Sequence, residues 1–331
     1  MSLEITVRRY ERKDEVAWER LVLEESTNGT FLQSRNFLNY HPEGRFHDHS
    51  LVFLNGSEPI AVIPAHETIE GGKKVLLSHQ GSTFGGLVVG KPFCKITYVE
   101  KILETLEAYC REQGFGEIVL KQTGPIFCRE NTNLIDYYLF LNGYTDSKEI
   151  GYWIDFADYK EDIPENYTYS IRRHYRNALK HHFSFRELGA KEVGLFYDVL
   201  LDNYRKFGRD PVHTLAELQD FKTNRLPEET SFYAVFSEEG EAIAGSMVFR
   251  FRKDVFHTQY LAVRQDWRDL FVNDFLYTGL IETARAEGFR ALSFGTTTFE
   301  GGRVLNRPLA IVKEGFGTQP FLNTTYRRSF V

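Results

Sequence analysis

The chain has 331 residues, a formal net charge of −6, and a composition that is 42% hydrophobic and 15% aromatic. This length accommodates two domains with separate cores, and the negative charge excludes general coating of nucleic acid while leaving room for a local basic site. The first thirty residues are charged, which predicts that there is no signal peptide. No apolar run approaches the ~20 residues that span a bilayer, so no integral membrane segment is expected. The odd count of three cysteines predicts a reducing, cytoplasmic compartment.

Hydrophobic periodicity predicts alternating strands and helices along the chain. The predicted helices cover residues 13–25, a short segment after Phe31–Ser34, a stretch ending at Gly114-Phe115, a basic segment from Ser170, residues 190–207, a stretch ending at Gly288-Phe289, and a segment from about Val304. The predicted strands cover residues 51–54, 60–68, 73–78, 117–120, 152–154, 232–236, 242–251, 255–263 and 291–294. Together these elements predict an α/β fold with a mixed sheet covered by helices.

A divergent internal repeat organises these elements. Residues 50–144 and 231–316 follow one plan, with their Gly-Phe pairs 174 residues apart and their closing pairs, Gly143-Tyr144 and Gly315-Phe316, 172 apart. We therefore predict two domains, residues 1–150 and 151–331, with an interdomain cleft that binds small molecules. The segment 321–330 is expected to add a last strand near their junction.

The segment from Ser170 through Phe185 contains no acidic residue. Ser170 is predicted to cap a helix on which Arg172, Arg176 and Lys180, spaced by four, share one face. Two interpretations remain open at this point. The face is either a solvated surface or a site for phosphate groups, which a guanidinium fork binds with paired hydrogen bonds.

The second repeat resembles the GNAT acyltransferase fold, and the whole chain resembles the FemAB-like branch, in which two such folds stand in tandem. The resemblance covers nearly the full length and depends on three features. These are Phe31-Leu32-Gln33-Ser34, the basic helix, and the closing segment with Phe294-Gly295, Asn306 and Lys313–Gly317. It implies an enzyme that transfers an acyl or aminoacyl group to an amine acceptor, such as a cell-envelope precursor.

The resemblance also implies the site residues. The donor would insert where strands 255–263 and 291–294 splay apart, beside the end of the second strand, which carries Phe294, Gly295 and Thr296. Lys313 would stabilise the oxyanion of the tetrahedral intermediate, Tyr260 or a water would move protons, and Asn306 would orient the donor. Arg172, Arg176 and Lys180 would meet phosphates of a substrate. The alternative for Lys313 is a surface lysine near a helix C-terminus.

The turn after residue 263 departs from the pattern of acetyl-CoA-dependent GNAT enzymes. Residues 264–273 contain no glycine and include Asp266 and Asp269, which would crowd or repel a pyrophosphate. Simple use of acetyl-CoA is therefore disfavoured relative to an aminoacyl-tRNA or a different acyl donor, and the candidate donors are an acyl-CoA and an aminoacyl-tRNA. Tyr40 stands where FemAB enzymes of peptidoglycan synthesis would carry a lysine, which puts that substrate in doubt.

Two other functions remain open, an acetyl-CoA-dependent N-acetyltransferase and a noncatalytic ligand-binding member of the same fold. No metal is expected, because His47-Asp48-His49 and His181-His182 each lack a spaced third ligand.

Overall fold

The structure is a computed structural model that describes residues 3–42, 44–205, 208 and 210–330. The helices are α1 (Glu15–Arg20), α2 (Arg35–Leu38), α3 (Ile96–Glu112), α4 (Asn133–Leu141), α5 (Tyr169–Ala178), α6 (Val193–Arg205), α7 (Leu215–Asp220), α8 (Val272–Ala286) and α9 (Arg307–Glu314). The strands are β1 (Ile5–Arg9), β2 (His47–Asp48), β3 (Leu51–Asn55), β4 (Glu58–Ile63), β5 (His66–Glu70), β6 (Lys73–Ser78), β7 (Val88–Val89), β8 (Glu117–Lys121), β9 (Thr145–Asp155), β10 (Ser184–Glu187), β11 (Thr230–Phe236), β12 (Ala242–Phe251), β13 (Val255–Val263), β14 (Ala291–Thr296), β15 (Thr298–Phe299), β16 (Val304–Leu305) and β17 (Gln319–Ser329). No helix in the described part of the chain is long and apolar enough to cross a bilayer.

The chain divides into two compact units. Unit 1 contains Met1–Glu149, Glu300–Arg303 and Leu322–Val331, and unit 2 contains Ile150–Phe299 and Val304–Phe321. The division after Glu149 falls one residue from the predicted boundary. Residues 322–330, which the sequence assigned to the second domain with a last strand expected near the junction, belong to unit 1, where β17 pairs with β8.

Unit 1 is built on two groups of strands. One sheet has the order β1-β3-β4-β7, and the other strands follow the order β17-β8-β6-β5-β2. Helix α3 packs through one apolar face, since its buried side chains recur at helical spacing: Val99, Ile102, Leu103, Leu106 and Cys110. The core of unit 1 lies between this face and the strands.

Unit 2 holds one run of strands in the order β10-β11-β12-β13-β14-β9. The sheet is antiparallel except between β13 and β14, which are parallel and are joined by α8. The core includes Phe256 on β13, Leu276 on α8, Phe294 on β14 and Phe316 after α9. The prediction of a mixed α/β architecture is confirmed.

The two repeats share this topology. In unit 1, β5 is antiparallel to β6, and β6 is parallel to β8 with α3 between them. In unit 2, β12, β13, α8 and β14 repeat that arrangement. Helices α3 and α8 also end alike, because Gly114 (φ +71°) and Gly288 (φ +80°) adopt the left-handed conformation. The next amide then bonds back to Cys110 and Ala284 respectively, which is a Schellman ending.

The strand that closes each repeat joins the other unit. Residues 151–155 of β9 follow the first repeat in the chain but pair antiparallel with β14 in unit 2. Residues 325–329 of β17 follow the second repeat but pair antiparallel with β8 in unit 1. Each unit is therefore completed by a strand that follows the other repeat in the chain.

Three predicted element boundaries are wrong. The strand predicted over residues 60–68 is two strands, β4 and β5, that belong to different groups. Val304 does not start a helix, because it pairs with Phe299 in the β15–β16 ribbon, and α9 begins only at Arg307. Ser170 is not a helix cap, since α5 begins one residue earlier, after Thr168.

Candidate active site

The candidate active site lies where β13 and β14 part in unit 2. The two strands pair in parallel at only three positions, the last being His257 opposite Ser293. Beyond that point β13 continues for six residues to Val263 and β14 for three residues to Thr296, without further pairing between them in the described chain. The two strands therefore separate beyond His257 and Ser293.

Irregularities on both strands accompany this splay. On β13, Tyr260 pairs with Met247 and Thr258 with Val248, so Gln259 between them is a bulge. On β14, the register against β9 shifts between Ser293 and Gly295. Because a bulge bends a strand and increases its twist, two bulges at the same level turn the strands apart.

The equivalent position in unit 1 is filled by the chain itself. There β6 and β8 stay paired to the end of β6, where Ser78 lies opposite Leu120. The Gly85-Gly86 segment then bonds to both strands, since Gly85 N donates to Lys121 O at 3.0 Å and Gly86 N to Ser78 Oγ at 2.7 Å. Neither glycine has room for a Cβ atom. Of the two repeats, the second is thus the one that leaves its strands open.

Lys313 lies beneath the end of β14. Its Nζ donates to three consecutive carbonyls, those of Phe294 at 2.5 Å, Gly295 at 3.1 Å and Thr296 at 2.9 Å. These acceptors match the three protons of an ammonium group. The residue is 3% exposed, and burial lowers the pKa of Lys313 to about 7 while the carbonyls favour its protonated form. The predicted oxyanion donor is therefore fully engaged with backbone in this structure.

An uncharged, hydrogen-bonded histidine, His257, lies next to this lysine. His257 Nδ1 is 3.0 Å from Ser293 Oγ, which also accepts from Gly295 N at 3.3 Å. Burial, reinforced by the nearby Lys313 charge, lowers the pKa of His257 to about 3. His257 is thus an uncharged support for the bend at Gly295.

Tyr260 stands on the stretch of β13 that pairs with β12 but not with β14, and it is half-buried. Its hydroxyl is 2.7 Å from Nδ1 of His213, and Ser246 on β12 donates to its backbone carbonyl at 2.7 Å. The sequence did not single out His213, which belongs to the segment between α6 and α7. Its proximity to Tyr260 depends on a tertiary contact over 47 residues.

The other residues predicted at the strand end have distinct environments. Phe294 is buried, with its ring stacked on Tyr277 at 4.7 Å, whereas Gly295 and Thr296 are half-exposed. Asn306 caps α9, since its side chain accepts from Leu309 N at 3.3 Å. Asn306 therefore fixes the start of the helix that carries Lys313 near its end.

The N-terminus of α8 contains bulky and acidic groups. Phe271 precedes the helix in the left-handed conformation (φ +59°), and its ring stacks on His174 at 4.3 Å. Asp274 in the first turn is 6% exposed, and burial raises its pKa to about 7. Its Oδ1 has no hydrogen-bond partner among the described residues, with His174 Nδ1 at 3.8 Å.

The basic residues of α5 do not share one environment. Arg172 donates to three backbone carbonyls before the helix, those of Pro164, Glu165 and Tyr167, at 3.0–3.3 Å. Arg176 is exposed, and Lys180 is exposed in the 3₁₀ turn after the helix, where it bonds to Asn177.

Residues 165–301 match a family model described as acetyltransferase (GNAT) domain. No curated protein matches the chain by sequence.

Solved structures resemble nearly the whole chain. FemX is 10% identical over 97% of this chain and 96% of its own, with a TM-score of 0.68. L-PGS from Bacillus licheniformis is 15% identical over 98% and 94%, with a TM-score of 0.61. A tandem GNAT protein from the clavulanic acid biosynthesis pathway is 11% identical over 99% and 98%, with a TM-score of 0.57. At these identities the likeness is one of fold.

Proposed function

We propose that this chain, whose residues 165–301 match the GNAT acetyltransferase domain model, transfers an acyl or aminoacyl group to an amine acceptor. The observation that carries the proposal is the splay beyond His257 and Ser293, with Lys313 beneath one of its strands. The matching place in the first repeat is filled by Gly85-Gly86, which favours a single reaction centre, in unit 2.

In the proposed reaction the acyl carbonyl of the donor lies between β13 and β14. Attack by a free amine forms a tetrahedral intermediate whose oxyanion needs a donor or cation nearby. Lys313 stabilises this oxyanion when one of its three hydrogen bonds to backbone carbonyls is replaced by a hydrogen bond to the oxyanion. Tyr260 takes part in proton movement, and Asn306 orients the donor through the helix that it caps.

The donor we favour is an aminoacyl-tRNA or another donor without a diphosphate at α8. The first turn of α8 already holds the Asp274 carboxyl, and Phe271 occupies the place of a glycine. A bulky side chain and an acidic group at that position do not favour pyrophosphate. The exposed Arg176 and Lys180, with Arg172 fixing the start of α5, would bind donor or acceptor phosphates.

The acceptor class we propose is an amine on a cell-envelope precursor in the cytoplasm. FemX and the C-terminal domain of a putative lysylphosphatidylglycerol synthetase from Agrobacterium fabrum share the fold. The three cysteines, of which none forms a disulfide, are consistent with a reducing compartment.

The proposal is tested by incubating the purified full chain with amine acceptors and either mixed aminoacyl-tRNAs or a set of acyl-CoAs. Mass spectrometry of the acceptors detects the new amide. We expect product with aminoacyl-tRNA, strongly reduced in Lys313→Met and unchanged in Lys191→Met, an exposed lysine on the same unit. Product from acyl-CoA alone would favour an acetyl-CoA-type enzyme, and ligand binding without any product would favour a noncatalytic member.

A further inference from the structure

We propose that His213 is the proton acceptor behind Tyr260, so that the two side chains form a relay that deprotonates the attacking amine. This inference rests on the proposed function. Tyr260 contacts the substrate amine, and His213 acts through Tyr260. The observation that supports it is the 2.7 Å hydrogen bond between Tyr260 Oη and His213 Nδ1, on the stretch of β13 that does not pair with β14.

Tyr260 is held firmly for such a role. It follows the Gln259 bulge, which sets its side chain relative to the strand, and Ser246 Oγ anchors its carbonyl. The ring of His213 meets the Tyr260 ring edge-on, with centroids 5.7 Å apart. Tyr260 is half-buried and lies on the stretch of β13 that does not pair with β14. In the proposed reaction its hydroxyl contacts the amine of the acceptor.

His213 is also fixed from its own side of the contact. It is 7% exposed, and its ring packs edge-on against Phe221 at 5.5 Å. The next residue, Thr214, starts α7 in a capping box with Glu217, whose carboxylate accepts from Thr214 N at 2.7 Å. Among its contacts, the imidazole therefore meets a phenol from β13 and a phenyl ring from the helical turn after α7.

The relay balances protons at each step. As the amine nitrogen bonds to the acyl carbon, its N–H proton passes to Tyr260 Oη while the phenolic proton passes to His213 Nδ1. Tyr260 is unchanged, and His213 becomes an imidazolium with protons on both nitrogens. When the tetrahedral intermediate collapses, the same path returns the proton to the leaving group. No oxidant, metal or further reactant is needed.

A purely structural hydrogen bond between the two residues makes different predictions. It would stabilise the fold without affecting the pH dependence of turnover. Proton transfer by positioned side chains contributes about 10²- to 10⁴-fold to rate. Removal of the imidazole should therefore lower kcat by at least about 10²-fold, with little change in KM, and should alter the pH dependence of turnover.

The test compares His213→Ala, Tyr260→Phe, the double variant, and His181→Ala as an exposed histidine control in the same unit. Thermal melting checks the fold of each. We expect free imidazole to restore part of the activity of His213→Ala but none of the double variant, and His181→Ala to match the parent.

Full turnover in His213→Ala, or a loss that imidazole does not restore in a folded variant with an unchanged pH profile, would overturn the relay while leaving the acyltransferase proposal intact. Absence of transfer by the parent chain with every donor would instead overturn the proposed function and the relay with it.

Discussion

The ammonium of Lys313 lies 3.1 Å from the carbonyl oxygen of Gly295, a residue with φ of +69°. The left-handed backbone at Gly295 allows the carbonyls of residues 294–296 to converge on one nitrogen, which regular strand geometry would alternate between two directions. The hydrogen bonding of the Lys313 ammonium therefore depends on the left-handed conformation of Gly295.

Gly295→Ala should disturb the convergence of the three carbonyls on Lys313. The added Cβ meets only ordinary contacts, with His257 Cε1 at 3.6 Å, so the main cost is the left-handed φ, about 1–2 kcal/mol. Gly288→Ala, at φ +80° with open space around it, is the matched control. Urea unfolding should show similar losses for both, and turnover should fall in Gly295→Ala alone. Equal turnover in the two variants would separate the bend at Gly295 from catalysis.

Lys313→Met should reduce turnover by roughly 10²- to 10³-fold with little change in donor binding, as loss of an oxyanion donor does. Met approximates the length of the lysine stem without supplying a donor. Steady-state kinetics together with a binding measurement for the donor separates the two effects. Parent-like turnover in this variant would move the reaction centre away from β14.

The stability of the parent should rise with pH in alkaline solution. Burial lowers the folded-state pKa of Lys313 to about 7, against 10.5 as its ordinary value. Between these two pH values the unfolded chain holds a proton that the folded chain has released, so the free energy of unfolding increases with pH. Urea titrations of the parent and Lys313→Met at about pH 7 and pH 9.5 should diverge accordingly. A constant difference between them would show that Lys313 stays protonated when buried.

Asp274 should make the stability of the parent depend on pH in the opposite direction from Lys313, and Asp274→Asn should remove that dependence. Burial raises the folded-state pKa of Asp274 to about 7 from 3.8, so the folded chain holds the extra proton, and stability is lost as pH rises between these values. The amide mimics the protonated acid and removes this loss. Above about pH 8 the variant should be more stable by roughly 2–4 kcal/mol, and near pH 4 the two should be similar. Chemical denaturation at both pH values is the measurement, and a parent as stable as the variant at high pH would contradict it.

The basic residues near α5 should separate into two groups. Arg172→Gln removes donors from three backbone carbonyls and should lower stability by about 1–2 kcal/mol. Arg176→Gln with Lys180→Gln should leave the melting temperature unchanged but weaken binding of a phosphate-bearing donor, most strongly at low salt. Salt-independent affinity in that double variant would return α5 to the role of a solvated surface.

The sequence predicted the repeat, together with its parallel crossover and the helix in it. The signal was the Gly-Phe pairs, which lie at matching positions in the two repeats and determine where α3 and α8 end. Local errors arose where tertiary pairing overrides propensity, as at Val304, which reads as helix but is held in a strand by Phe299. The three-carbonyl coordination of Lys313 and the contact between His213 and Tyr260 were not predictable, since each joins residues that only the folded sheet brings together.

The crossed membership of β9 and β17 constrains how the molecule is made. The edge of β8 in unit 1 is completed by residues 325–329, about two hundred positions later in the chain. A ribosome that has released residues 1–150 has therefore not yet supplied the strand that covers this edge, and an unpaired edge invites association with other chains. Completion of unit 1 must wait for late synthesis, so contacts of high sequence separation should make its folding slow, and a fragment cut between the repeats should tend to aggregate.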